Sequence, residues 1–238
     1  MIVFDRVGAG YAGRAALREV SARLVPGKVT GIVGPNGAGK TSLLRAALGL
    51  LPHTGKVTVQ DRAVEEWSRE ALARTIAYLP QGGDAHWPVP ARDLVTLGRL
   101  PHRDRDARAV ADALARADAG AFAERRIDEL SAGERARVLL ARALATQAPV
   151  LLADEPAAFL DPAHQLRLMD LLRGEAARGT TVAVTLHDLA LASRHCDEVL
   201  VLHEGRLAAT DLSDETLARV FGIAVLRADG ALVPWRLV

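Results

Sequence analysis

The feature that most restricts this chain is the octapeptide Gly34-Pro35-Asn36-Gly37-Ala38-Gly39-Lys40-Thr41. It follows a short apolar run, Val29 to Val33, suited to a buried strand. It precedes Leu43, Leu44, Ala47, Leu48 and Leu51, which recur at helical spacing until Pro52 stops them. A glycine-rich turn between strand and helix lets backbone N–H groups curl around a phosphate, and the amino end of the helix adds partial positive charge. Lys40 then reaches the outer phosphates and the Thr41 hydroxyl ligates Mg²⁺. Fixed positions in this strand–turn–helix setting are a specific signature of nucleoside triphosphate binding, with Gly34 through Thr41 as the binding residues. A second run, Gly8-Ala9-Gly10-Tyr11-Ala12-Gly13, has the spacing of a dinucleotide fingerprint. That chemistry needs an acidic residue about 20 positions on to hold a ribose hydroxyl, and none stands between Glu19 and Asp61. The run reads as a flexible turn instead.

Composition narrows the setting. Half of the 238 residues are hydrophobic and a quarter charged, enough for one globular domain with room for an insert. Lys plus Arg is 30 against 29 acidic residues, a net +1 that gives no reason to expect nucleic acid as a partner. No uncharged apolar run approaches the ~18 residues of a membrane span, and Asp5 and Arg6 come too early for a signal peptide. Cys196 stands alone, which excludes an internal disulfide and a cysteine-based metal site and fits a reducing compartment. Only three lysines occur (Lys28, Lys40, Lys56) among many arginines, so each is a candidate for a lysine-specific task.

Ile2–Phe4, Val57–Val59 and Thr75–Leu79 read as strands. From about Gly82 to Thr146 strand signals vanish and helical periods take over. Strands return at Val150–Ala153, Thr181–Thr185 and Val199–Leu202, with an amphipathic helix from Gln165 to Arg178 between the first two. Short apolar strands alternating with helices imply an α/β fold, a parallel sheet covered on both faces and carrying a helical insert. A phosphoryl-transfer site also needs a metal carboxylate and a group to orient water. Asp154 ends an apolar strand, where a metal beside the phosphate loop would lie, and Glu155 can reach the attacking water as general base. The alternative is an ordinary strand-ending turn at Asp154-Glu155-Pro156. His187 ends a second apolar strand, at the edge where open α/β sheets bind ligands, and reads as a γ-phosphate contact rather than a structural histidine. Ser131 with Glu134 forms a capping box; the same helix start, with the Ser131 hydroxyl and Gly133 backbone, is also fit to bind phosphate.

In this order the motifs resemble the ATP-binding cassette subunits of ABC transporters over residues 2 to 226. Gly34–Ser42 resembles the Walker A loop, Gln81 the Q-loop, Leu130–Glu134 the signature motif and Val150–Glu155 Walker B. Leu160-Asp161 resembles the D-loop and His187 the switch histidine. The resemblance implies a P-loop ATPase with a mainly parallel sheet core, an N-terminal antiparallel β portion and an inserted α-helical subdomain. The core would span residues 1–81 and 147–238 of a single domain, and the insert 82–146. It further implies ATP and Mg²⁺ as ligands, with Thr41, Gln81 and Asp154 at the metal, and Glu155, His187, Lys40 and Gln81 in catalysis. Two copies would meet head to tail, so that Ser131, Gly133 and Asp161 of one close over ATP held by the other. It also implies an aromatic ring on adenine upstream of Walker A. Tyr11 is the only aromatic between Phe4 and Trp67 and is assigned there, with a turn-anchoring tyrosine as the alternative.

Two departures stand out: Ala132 replaces the usual glycine of the signature, and Ala157 and Ala158 replace hydroxyl residues after Walker B. Neither position carries a catalytic group, so hydrolysis should survive, with altered contacts between copies. Val95–His102, Leu160–Gln165 and Glu215–Val225 resemble cassettes of importers for ferric siderophores, haem and cobalamin. The expected partners are therefore a second copy, integral permease subunits and, indirectly, a substrate-binding protein, at the cytoplasmic face of a bacterial inner membrane. Residues Gln81 to Arg99, with glycines and prolines that make a hinge, are expected to signal to the permease, and Trp87 is a candidate contact or a core residue. The competing class is a soluble cassette of the iron–sulfur assembly type; an exporter cassette would normally be fused to its membrane domain.

Overall fold

A computed structural model describes residues 1–82, 88–228 and 231–238. The chain opens with β1 (Ile2–Tyr11) and β2 (Arg14–Leu24), then β3 (Val29–Val33), α1 (Lys40–Ala47), β4 (His53–Val59), β5 (Arg62–Ala63), α2 (Arg69–Thr75) and β6 (Ile76–Leu79). There follow α3 (Ala91–Thr96), α4 (Ala107–Arg116) and α5 (Ala132–Ala145), with short 3-10 turns between them. The remainder is β7 (Val150–Ala153), α6 (Pro162–Ala177), β8 (Thr181–Leu186), α7 (Leu189–His195), β9 (Glu198–His203), β10 (Arg206–Ala209), α8 (Asp214–Phe221), β11 (Ile223–Ala228) and β12 (Ala231–Leu237).

The central sheet has the order β10-β9-β3-β8-β7-β6. Its strands pair in parallel from β9 to β6, and only β10 runs antiparallel. Both faces are covered, and the alternation along β7 shows it. Val150 and Leu152 pack into a core shared with α1 and the N-terminal strands, whereas Leu151 and Ala153 face α3, α5 and α6. The second sheet, β2-β1-β4-β5, is antiparallel throughout. Between β6 and β7 the described residues hold helices and turns and no strand. Six of the described helices start on side-chain caps: Ser68 for α2, Asp106 for α4, Ser131 for α5, Asp161 for α6, Asp188 for α7 and Ser213 for α8. The α/β architecture expected from the sequence is the observed one.

Two local readings need correction. Gly8 to Gly13 is not a flexible turn: β1 runs to Tyr11 and pairs through Arg14 with β2, and only Ala12 and Gly13 turn, both with φ > 0 (45° and 81°). A two-residue turn of that kind matches the twist of the strands it joins. The helix after the phosphate loop ends at Ala47, not Leu51, because Leu48 caps it and Gly49 enters the left-handed region. The C-terminal hairpin β11–β12 had no counterpart in the sequence reading. Trp87 and Gly83 of the expected signalling segment lie outside the described residues.

Candidate functional site

Parallel pairing puts the carboxyl ends of β3, β6, β7 and β8 on one edge of the sheet, so the loops that leave them meet. Gly34–Gly39 leaves β3, Gln81 follows β6, Asp154 and Glu155 follow β7, and His187 follows β8. The phosphate loop is fixed from below. Gly39, at φ 103°, approaches β2 so closely that a side chain would begin 2.5 Å from the Ala16 carbonyl oxygen. The Arg18 amide donates to the Gly205 carbonyl at 2.7 Å and the Gly205 amide to the Ala38 carbonyl at 3.2 Å, so β2, the loop and the β9–β10 turn meet at one junction.

Lys40 opens α1 and is buried, its Nζ donating to the carbonyls of Gly34 (2.9 Å) and Pro35 (3.4 Å). Burial lowers its pKa, opposed by the nearby charges of Glu155 and Asp154. Asp154, 1% exposed, accepts hydrogen bonds from three hydroxyls: Thr41 (3.1 Å) and Thr185 (2.8 Å) on Oδ1, and Tyr78 (3.2 Å) on Oδ2. No cationic side chain pairs with it among the described residues. Burial next to this carboxylate pushes the Tyr78 phenol up to about 12, so it stays a donor. The Thr185 hydroxyl also accepts the Glu155 amide at 2.7 Å, which ties the two acidic residues to β8. Glu155 has a left-handed backbone (φ 48°), costly for a residue with a Cβ. One Glu155 oxygen accepts from Gln81 Nε2 at 2.6 Å, and the other lies 2.5 Å from His187 Nε2.

Lys40, Thr41, Gln81, Asp154, Glu155 and His187 thus form one cluster. Ser131, Gly133 and Asp161 do not join it by any hydrogen bond or ion pair among the described residues. Ser131 and Glu134 make the reciprocal capping box of α5, at 3.2 and 2.8 Å. Asp161 caps α6. Tyr11 ends β1, 43% exposed, its phenol oxygen accepting from Arg45 of α1 at 3.3 Å. Tyr78 and Thr185 escaped the sequence reading. Their signal was a hydroxyl inside an otherwise apolar strand, which ends up buried and must find a partner.

Residues 17–158 match the sequence profile of the ABC transporter family. The chain belongs to that family. The hemin import ATP-binding protein of Rhodococcus jostii is 44% identical over 229 residues, covering 92% of this chain and 78% of that protein. A cobalamin import ATP-binding protein of Halobacterium salinarum is 45% identical over 203 residues, 82% of this chain and 51% of its own length. Among solved structures, a dimeric bacterial ABC transporter cassette superposes with a TM-score of 0.76 at 27% identity, over 89% of this chain and 98% of that one. As an ABC transporter ATPase the chain binds ATP and hydrolyses it in step with transport.

The donor set around Asp154 suits Mg²⁺. A hydroxyl, a carboxylate and the Gln81 amide are hard oxygen donors, and Asp154 is a buried carboxylate whose side-chain hydrogen bonds among the described residues all come from hydroxyls. No group of three or more His, Cys, Asp or Glu capable of holding a metal occurs among the described residues, so phosphate and water oxygens would complete the shell.

Proposed function

We propose that the chain powers an importer for haem, hydrolysing ATP at sites shared between two copies docked on a separate permease. The observation that carries the hydrolytic part is Glu155, held between Gln81 and His187 next to Asp154. In this reading Lys40 leaves the Gly34 and Pro35 carbonyls for the outer phosphates, and the loop amides and Ser42 hold the rest. Thr41, Asp154 and Gln81 hold Mg²⁺, which when bound neutralises phosphate charge and aligns the terminal phosphate. Glu155 takes the proton of the attacking water, while His187 contacts the γ-phosphate and fixes the carboxylate. Tyr11 stacks on adenine. Ser131 and Gly133, with Asp161, complete the site of the second copy. The insert, residues 82–146, acts as the arm that carries Ser131 and Gly133, while Asp161 follows β7 in the core.

Docking on a permease is supported by an apolar groove of about 990 Å³. The end of α1, α2 and Trp67 form one wall, and Leu97, Leu100 and Pro101 before α4 form the other. Leu50 and Leu100 expose 64% and 68% of their surface there. No helix among the described residues is long and apolar enough to cross a membrane. In this reading an apolar segment of the membrane subunit fills the groove, at the cytoplasmic face.

Haem is favoured as cargo by the likeness to hemin import proteins, and cobalamin is the second reading, from the Halobacterium relative. The test is reconstitution of the chain in vesicles with its permease and a substrate-binding protein. Haem-loaded binding protein should raise ATP hydrolysis severalfold, with cobalamin and a ferric siderophore as the other arms. Stimulation by one of those alone reassigns the cargo. No stimulation by any, with a membrane complex intact, overturns the importer reading.

A further inference from the structure

His164 stands in the first turn of α6, and its ring lies against the backbone of Gly133 in the first turn of α5. A methyl group on Gly133 would fall 1.9 Å from His164 Cδ2 and 2.4 Å from Cγ and Nε2, so any side chain there would displace the ring from this position. The far side of the ring is held as well. Its Nδ1 is 2.7 Å from Asp161 Oδ2, and the His164 amide donates to Asp161 Oδ1 at 3.0 Å. The α5 side is equally tied down: Glu134 closes the capping box on Ser131 and accepts from Arg125 at 2.9 Å. The contact joins two elements that belong to different parts of the chain, since α5 precedes β7 and α6 follows it. His164 therefore touches two of the three residues that lie off the main cluster, Gly133 and Asp161, and the third, Ser131, caps α5 two residues before Gly133.

We propose that His164 is a positioning residue: clasped by Asp161 and seated on Gly133, it locks the amino ends of α5 and α6 into one body. Ser131, Gly133 and Asp161 then meet the second copy's nucleotide together. This rests on the shared-site reading above. It also gives Gly133 a reason to be glycine within its own chain, apart from any contact with phosphate.

A double-mutant cycle in the full chain tests it, with His164→Ala, His164→Asn, Gly133→Ala and the Gly133→Ala/His164→Ala pair. Asn keeps a polar partner for Asp161 and removes the ring from Gly133. Two quantities are read: ATP affinity of dilute single copies by fluorescent-nucleotide titration, and the protein concentration at which MgATP drives dimerisation by light scattering. Both His164 variants should raise that concentration by ~10-fold, within the range of coupling between side chains in contact, and leave single-copy affinity unchanged. Gly133→Ala should impair the wild type yet add less than ~2-fold on top of His164→Ala, because the methyl no longer meets a ring. An Asn variant that behaves as wild type, or a Gly133→Ala factor equal in both backgrounds, overturns the proposal. So does loss of single-copy ATP binding or early melting in both His164 variants, which would assign the histidine to folding alone. A wild-type chain that never dimerises on MgATP overturns the shared-site reading itself, and this proposal with it.

Discussion

Glu155 combines a left-handed backbone with two side-chain partners, so its carboxylate is placed by three constraints at once. Glu155→Gln keeps the shape and removes the base. Turnover is expected to fall at least ~100-fold while MgATP still binds, as judged by phosphate release beside nucleotide titration. Near-normal turnover would remove Glu155 from the role. Tyr78 is a subtler case. Its hydroxyl is one of three donors to the Asp154 carboxylate among the described residues, and Tyr78→Phe deletes that bond without changing packing. The Mg²⁺ concentration for half-maximal hydrolysis is expected to shift by ~5-fold, the equivalent of one buried hydrogen bond; an unchanged Mg²⁺ titration would mean the phenol is only packing. At this scale the sequence was most legible where a residue type has few other uses. Lys40, Thr41, Asp154 and Glu155 announce themselves by spacing from glycines and strand ends. Tyr78 and Thr185 do not, because a hydroxyl in a strand is silent until the neighbouring strand supplies the acid it binds.

Among the elements, the stretch after α3 shows how a family-like motif is spent on architecture. Arg99 is buried and donates to both oxygens of Asp104 at 2.8 Å, to the Ala145 carbonyl at 3.0 Å and to Gln147 at 2.9 Å. His102 Nε2 lies 2.8 Å from the Thr146 carbonyl. Together they clamp the residues before α4 onto the end of α5, one wall of the groove. The Arg99 bond holds the Asp104 carboxyl down at about 2, below its ordinary value of 3.8. A carboxylate whose folded pKa is depressed adds stability that is complete above the unfolded value and is lost as pH falls through the folded one. The melting-temperature gap between wild type and Asp104→Asn should therefore hold at pH 5 and close between about pH 4 and pH 2; a pH-independent gap would deny the pair this role. The helices of this stretch were readable from periodicity. The α1 end and the β11–β12 hairpin were not, since a leucine can extend a helical pattern beyond the helix itself and Pro234 interrupts the strand pattern of β12.

At the scale of the whole molecule, the sheet explains why distant motifs meet: parallel order alone delivers four strand ends to one edge. It also leaves Ser131 and Gly133 on a separate helix, which is the argument for two copies. Mixing two inactive variants, Lys40→Ala and Ser131→Arg, decides it. In the mixed dimer one site carries both defects and the other neither, so one ATP should be occluded per dimer, counted with labelled nucleotide. Sites built within one chain predict none. The junction of Ala16, Ala38, Gly39 and Gly205 has a further thermodynamic meaning. A phosphate loop bolted to β2 and to the β9–β10 turn has surrendered its conformational freedom during folding, so a nucleotide that arrives there orders almost no chain. Calorimetry of single copies should then show little of the entropic loss that a loop closing on its ligand would impose. Loosening the junction should weaken binding through entropy, with every phosphate contact still available.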